Sequence, residues 1–208
     1  MAEPATVDRT VLVRRGRRVE YFTIGWNLLE GGAATAAGAM AGSISLVGFG
    51  VDSFIEVASG MALLWRMSVD ADVHHGERNE RLALRIVGLC FVVLALYIAY
   101  EGIRDLVRRQ APEHSIIGIV VASAALVVMP ILSRSKRAVG SALDSRAMHA
   151  DAAQTDFCAY LSAILICGLL LNMLLGWWWA DPAAALIMVP IIGREGMEAL
   201  QARRCREC

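Results

Sequence analysis

The chain has 208 residues, 57% of them hydrophobic and 19% charged, with 20 basic residues balanced by 20 acidic ones. That apolar share lies above the ~45–50% usual for soluble domains, the mean hydropathy is +0.52, and the net charge of zero hides an uneven distribution of arginines and says nothing about nucleic acid, which is not expected as a partner. Charge-free runs near the ~20 residues needed to cross a bilayer alternate with short charge-dense segments, which reads as an all-α, polytopic membrane protein. An enzyme is not read here, since no nucleophile and base pairing and no phosphate-binding loop is found, and the five cysteines do not suggest a secreted disulfide framework.

Residues 1–20 form a basic tail carrying Arg9, Arg14, Arg15, Arg17 and Arg18. They do not read as a cleaved export signal, because the apolar run that follows contains Asn27 and Glu30 and is long enough to span. Six transmembrane helices are predicted, over residues 21–41, 43–66, 83–102, 115–133, 152–175 and 180–197. Residues 21–200 thus make one membrane domain whose links are too short for a soluble insertion, and residues 201–208 a short cytoplasmic tail with a CxxC at Cys205 and Cys208. Pro130 and Pro190 are expected at kinks or helix ends, and Cys90 and Cys167 as small core residues. Gly38 and Gly42 make a GxxxG that lets helices approach, within the chain or across a dimer seam. Trp177, Trp178 and Trp179 fit an interfacial aromatic belt.

The arginines orient the bundle. The tail, the loop after span two (Arg66, Arg78, Arg81, Arg85), the loop after span four (Arg134, Lys136, Arg137, Arg146) and the C-terminal end (Arg194, Arg203, Arg204, Arg206) are basic. The links between spans one and two and between spans five and six carry no basic residue. The positive-inside rule therefore places both termini in the cytoplasm. The loop after span three dissents with Arg104, Arg108 and Arg109, although Glu101, Asp105 and Glu113 lie among them.

In "VDSFIEVASG", residues 51–60, Asp52 and Glu56 are four positions apart, which stacks them about one turn apart on a single helix face. Ionisable groups at membrane depth cost at least ~2.5–3.5 kcal/mol each and usually face a bundle interior that serves a pathway. Protonation with a hydrogen bond to a neighbouring helix would relieve that cost, and so would a cation held between the carboxylates. Span five offers partners in "HADAAQTDFCAYLSA", residues 149–163. There Asp151, Gln154, Thr155 and Cys158 form one stripe and His149, Asp156 and Tyr160 another roughly opposite it, and spacing alone does not choose between them. Asn27 and Glu30 are expected to hydrogen-bond a neighbouring helix or to line the entrance. Asp70, Asp72, His74, His75 and Glu77 make either a metal-collecting loop or a merely solvated one.

The stretch "GSISLVGFGVDSFIEVASG", the following "DADVHHGERNERLALR" and the later "WWWADPAAALIMVPIIGREGMEAL" resemble, in their order and spacing, the cation diffusion facilitator (cation efflux) family over residues 20–200. The resemblance implies six helices, a homodimer, and export of zinc or a related divalent ion in exchange for protons. Zn2+ is then a transported substrate, and the chain a multi-pass protein of the plasma membrane. That family's site lies between helices two and five. Asp52 and Glu56 take the helix-two positions, with Glu replacing the more usual Asp. In helix five the family pattern is Ala-Asp, two residues, His, three residues, Asp; anchored at Ala150 and Asp151, it puts Gln154 at the His position and Cys158 at the final Asp position. The implied metal ligands are Asp52, Glu56 and Cys158, completed by Gln154 or Asp151, or by Asp156 if the helix is rotated. The chain resembles a short branch of the family without its usual C-terminal cytoplasmic domain. The rival readings are a membrane scaffold or metal-sensing regulatory subunit, and a thiol redox protein acting through Cys205 and Cys208.

Overall fold

The computed structural model describes residues 9–68, 73–109 and 112–201, without the side chains of 9–10, 66–68, 73–87, 146–147 and 199. Asp70, Asp72, Cys205 and Cys208, and the side chains of His74, His75 and Glu77, lie outside the described residues. Six helices follow one another: α1 Arg9–Ala41, α2 Ile44–Ser68, α3 Val73–Arg108, α4 Ile116–Leu143, α5 Arg146–Leu175 and α6 Ala180–Gln201. Each matches one of the expected spans, with Ser43 and Ser115 just before α2 and α4, and several overrun it. Helix α1 begins at Arg9 and α4 continues to Leu143, because hydropathy marks the edge of the bilayer whereas a helix stops only where its residues break it. Lys136, expected in a loop, therefore lies inside α4.

The breaks are local. Ser43 accepts the Leu46 N–H at 3.2 Å, Ser115 that of Gly118 at 3.0 Å and Ser145 that of Met148 at 3.4 Å, so a serine caps the start of α2, α4 and α5. Gly42 (φ 66°) and Gly176 (φ 64°) supply the left-handed residue that ends α1 and α5. Pro130 and Pro190 lie within α4 and α6, not at their ends.

Helix α1 packs along α2, α4 along α5 and α3 along α6, and α2 also touches α3, α5 and α6. Small residues bring α1 and α2 close. A Cβ on Gly38 would meet the Val47 amide nitrogen at 2.7 Å, and one on Gly50 would meet that of Thr35 at 2.7 Å. Of the GxxxG pair, Gly38 thus serves packing inside the chain, while Gly42 ends the helix. Phe49, Ile98, Met129, Leu165 and Met188 fill the apolar core. At the start of α6 the buried Asp181 accepts hydrogen bonds from Ser43 (2.6 Å) and Ser45, tying α6 to the first turn of α2.

The distribution of polarity is that of a membrane bundle. Leu29, Val107, Ile116 and Leu174 are exposed on the outside while Glu20, Asn27, Glu30, Asp52, Glu56, Lys136 and Asp151 are buried within. Among the described residues, Ile44–Trp65, Ile116–Leu143 and Met148–Leu175 are by themselves long and apolar enough to cross a bilayer. In α1 the acids and Asn27 that lower its hydropathy are turned into the bundle. Cys90 and Cys167, expected in the core, are instead exposed. With lipid outside, a small apolar residue has no preference for the interior. The Trp177 and Trp179 rings stack at 5.0 Å in the turn between α5 and α6, a position suited to an interfacial belt.

Candidate functional site

Four helices send polar side chains to one buried region. Helix α1 contributes Glu20, Thr23, Asn27 and Glu30, a buried stripe at helical spacing that continues through Ala34 and Ala37. Helix α2 contributes Asp52, Ser53 and Glu56; α4 contributes Ser133 and Lys136; α5 contributes Asp151, Thr155 and Cys158. The packing settles the rotation of α5. Asp151, Thr155 and Cys158 face inward, whereas Tyr160 is 64% exposed and Asp156 pairs with the half-exposed Arg137 on the outer side.

One group of contacts centres on Lys136. Its ammonium donates to Asp151 Oδ2 and, at 3.0 Å, to Thr155 Oγ1, and it faces Glu20 Oε2 at 3.6 Å and Glu56 Oε1 at 3.9 Å. Thr155 in turn donates to Glu56 Oε1 at 2.6 Å, so one hydroxyl links α5 to α2 and α4. Ser59 of α2 donates to the other oxygen of Asp151 at 3.4 Å. A second group centres on Glu30. Its Oε1 accepts from Ser53 at 3.0 Å and from the Cys158 thiol at 3.6 Å, and its other oxygen accepts from Trp26. Glu30 thus bonds to two neighbouring helices, as expected of it. Asp52 is buried on α2, next to Ser53 of the second group and four residues before Glu56 of the first.

Of the sequence-designated ligands, Glu56, Asp151 and Cys158 belong to these linked groups; Asp52 is buried on the same helix as Glu56, Gln154 is half-buried with its Nε2 buried and without a hydrogen-bond partner, and Asp156 is turned away. Among the described residues, no three or more Asp, Glu, His or Cys side chains are gathered in a ready-made metal cage. The centre of the carboxylates is held by an ammonium instead. Three acceptors there have no hydrogen-bond partner, Glu56 Oε2 and both oxygens of Glu20, although Glu20 Oε2 faces the ammonium. Unpaired anionic oxygens in a low-dielectric interior are expensive, and a cation or a proton is what satisfies them.

Sequence reasoning missed Glu20 and Lys136. Glu20 sits seven residues before Asn27 on the stripe that also holds Glu30, a signal readable in the pattern. Lys136 is the only lysine among the 20 Lys and Arg residues.

A six-helix membrane bundle that buries Glu20, Glu30, Asp52, Glu56, Lys136 and Asp151 in its interior has the pattern of proteins that pass ions through the bilayer. The chain matches the cation efflux transmembrane domain across residues 23–201 and belongs to the cation efflux family, a family of transporters. It is 27% identical over 177 residues to the cation-efflux pump FieF of Shewanella oneidensis, covering 80% of this chain and 59% of that protein. It is 32% identical over 133 residues to Transmembrane protein 163 of Xenopus laevis, covering 64% and 47%, and 28% identical over 169 residues to the magnetosome protein MamB of Paramagnetospirillum magneticum, covering 78% and 57%. The chain spans about half of the length of the curated relatives it matches, from 47% to 59% of the three named here.

Proposed function

We propose that the chain is a divalent metal cation transporter, with zinc the first candidate, which moves metal out of the cytoplasm in exchange for protons. The observation that carries this reading is the surplus of buried acids: Glu20, Glu30, Asp52, Glu56 and Asp151 are buried on α1, α2 and α5, and among the described residues the one ammonium, that of Lys136, faces only Glu20, Glu56 and Asp151. Such a surplus is sustained in a membrane only when cations or protons offset it. The metal path runs between α2 and α5, with Asp52 and Glu56 as the essential ligands and Asp151, Cys158 and Gln154 completing the set. Carboxylates and a thiol bind metal only after losing their protons, so metal and protons compete for the same atoms. That competition couples inward proton flow to outward metal flow, and rocking of the helices carrying the site would alternate its exposure. The reading includes both termini in the cytoplasm, a homodimer and a place in the plasma membrane.

The test is flux in proteoliposomes under a pH gradient, comparing zinc, cobalt, manganese and cadmium for the wild type and Asp52→Asn. Zinc flux that needs the gradient and vanishes in the variant is the expected result. No flux of any of the four ions would leave a membrane scaffold whose acids serve packing.

A further inference from the structure

Lys136 stands apart in both sequence and structure. It is the only lysine in a chain whose other basic side chains are arginine, and it is fully buried. Its ammonium touches Asp151 and faces Glu56 and Glu20, so three helices other than its own each present it a carboxylate. Two of those carboxylates, on Glu56 and Asp151, are ligands in the transport reading on which this inference rests. The third, on Glu20, is not, and neither of its oxygens has a hydrogen-bond partner.

A dication bound by Glu56 and Asp151 would sit against the ammonium that touches Asp151 Oδ2 and faces Glu56 Oε1. Two cations on the same oxygens in a low-dielectric interior repel strongly, so one must move. Lysine suits that role. Its compact charge rides on a flexible four-carbon stem, whereas an arginine would grip a carboxylate with a rigid, two-pronged fork. The moving charge also has a destination, since Glu20 Oε2 already faces it at 3.6 Å and neither Glu20 oxygen has a hydrogen-bond partner. With the ammonium on Glu20, the two positive charges of the metal and the one of Lys136 offset Glu20, Glu56 and Asp151, and Asp52, the other acidic ligand, adds to the demand for positive charge. A monovalent ion would leave a larger deficit.

We propose that Lys136 is a tethered cation that holds Asp151 and Glu56 together until the transported dication displaces it onto Glu20. It is a positioning residue, and it lowers metal affinity by competing at the site while favouring double over single charge.

The test measures zinc binding to the full chain in detergent micelles by equilibrium dialysis. Lys136→Gln is expected to bind zinc about tenfold more tightly, the factor that follows if the ammonium leaves the carboxylates free about a tenth of the time. Glu20→Gln, which removes the ammonium's destination, is expected to bind zinc more weakly. Because the chain has one lysine, selective 13C labelling of lysine gives a single side-chain resonance in the wild type, and zinc must move it with the same midpoint as binding. This second measurement stands even if the Lys136 variant fails to fold. Zinc binding with an unmoved lysine resonance, or a folded Lys136→Gln variant that binds zinc no more tightly, overturns the proposal and leaves metal transport intact. A wild type that binds no zinc and carries no metal in the flux assay overturns the transport reading and this inference together.

Discussion

Replacing Thr155 by valine keeps the shape of a fully buried side chain and deletes one hydroxyl. That hydroxyl donates to Glu56 at 2.6 Å and accepts from Lys136 at 3.0 Å, so its loss unpairs groups on two other helices at once. Interhelical hydrogen bonds in membranes average about 0.6 kcal/mol and reach about 1.7, but bonds to charged groups are worth about 1.5–3 kcal/mol each. Part of the loss is recovered, because Lys136 keeps Asp151 and remains 3.9 Å from Glu56. The expected destabilisation is therefore about 2–3 kcal/mol, or roughly 30- to 160-fold in the unfolding equilibrium. Thr155→Ser is the control; it retains the hydroxyl and loses a methyl group worth about 0.8 kcal/mol. Reversible unfolding of the full chain in mixed micelles, followed by loss of helical circular dichroism, measures both variants. A valine variant as stable as the serine variant, or within about 0.5 kcal/mol of the wild type, would refute the network as the bond between α2, α4 and α5.

Three further outcomes follow from the packing. In Gly50→Ala the new Cβ would press on Thr35 Oγ1 and lie 2.7 Å from the Thr35 amide nitrogen. The hydroxyl can rotate away but the backbone cannot, so overpacking of about 1–3 kcal/mol is expected, seen as a lower unfolding midpoint. Asp181→Ala leaves the Ser43 and Ser45 hydroxyls without their buried acceptor; it is expected to lower stability by about 1–3 kcal/mol while zinc affinity in dialysis stays unchanged. Asp156→Asn breaks only a partly exposed pair with Arg137, worth about 0–1 kcal/mol. It should leave both metal flux and stability near wild type, and a large loss of flux would return Asp156 to the ligand set.

The number and order of the helices were legible in the sequence because the signals that set them are local. Long apolar runs, the capping serines at 43, 115 and 145, and the glycines at 42 and 176 act on their own neighbours. The Asp52 and Glu56 pair was legible too, since a four-residue spacing fixes a shared face wherever the helix packs. The α5 assignment was not. Both of its stripes carry ligand-capable side chains, and only contact with α2 and α4 turns Thr155 toward Glu56 and Asp156 out to Arg137. Lys136 was hidden by its neighbours. Arg134 and Arg137 make its segment read as a solvated loop, and a side chain whose charge sits at the end of a long stem can point inward from a charged stretch as easily as outward. Glu20, Glu56, Lys136 and Asp151 come from four helices. Local sequence determined that each helix would form and where it would end. The meeting of three carboxylates on one ammonium was decided by tertiary structure alone, because electrostatic contact depends on distance in space and these residues are distant along the chain.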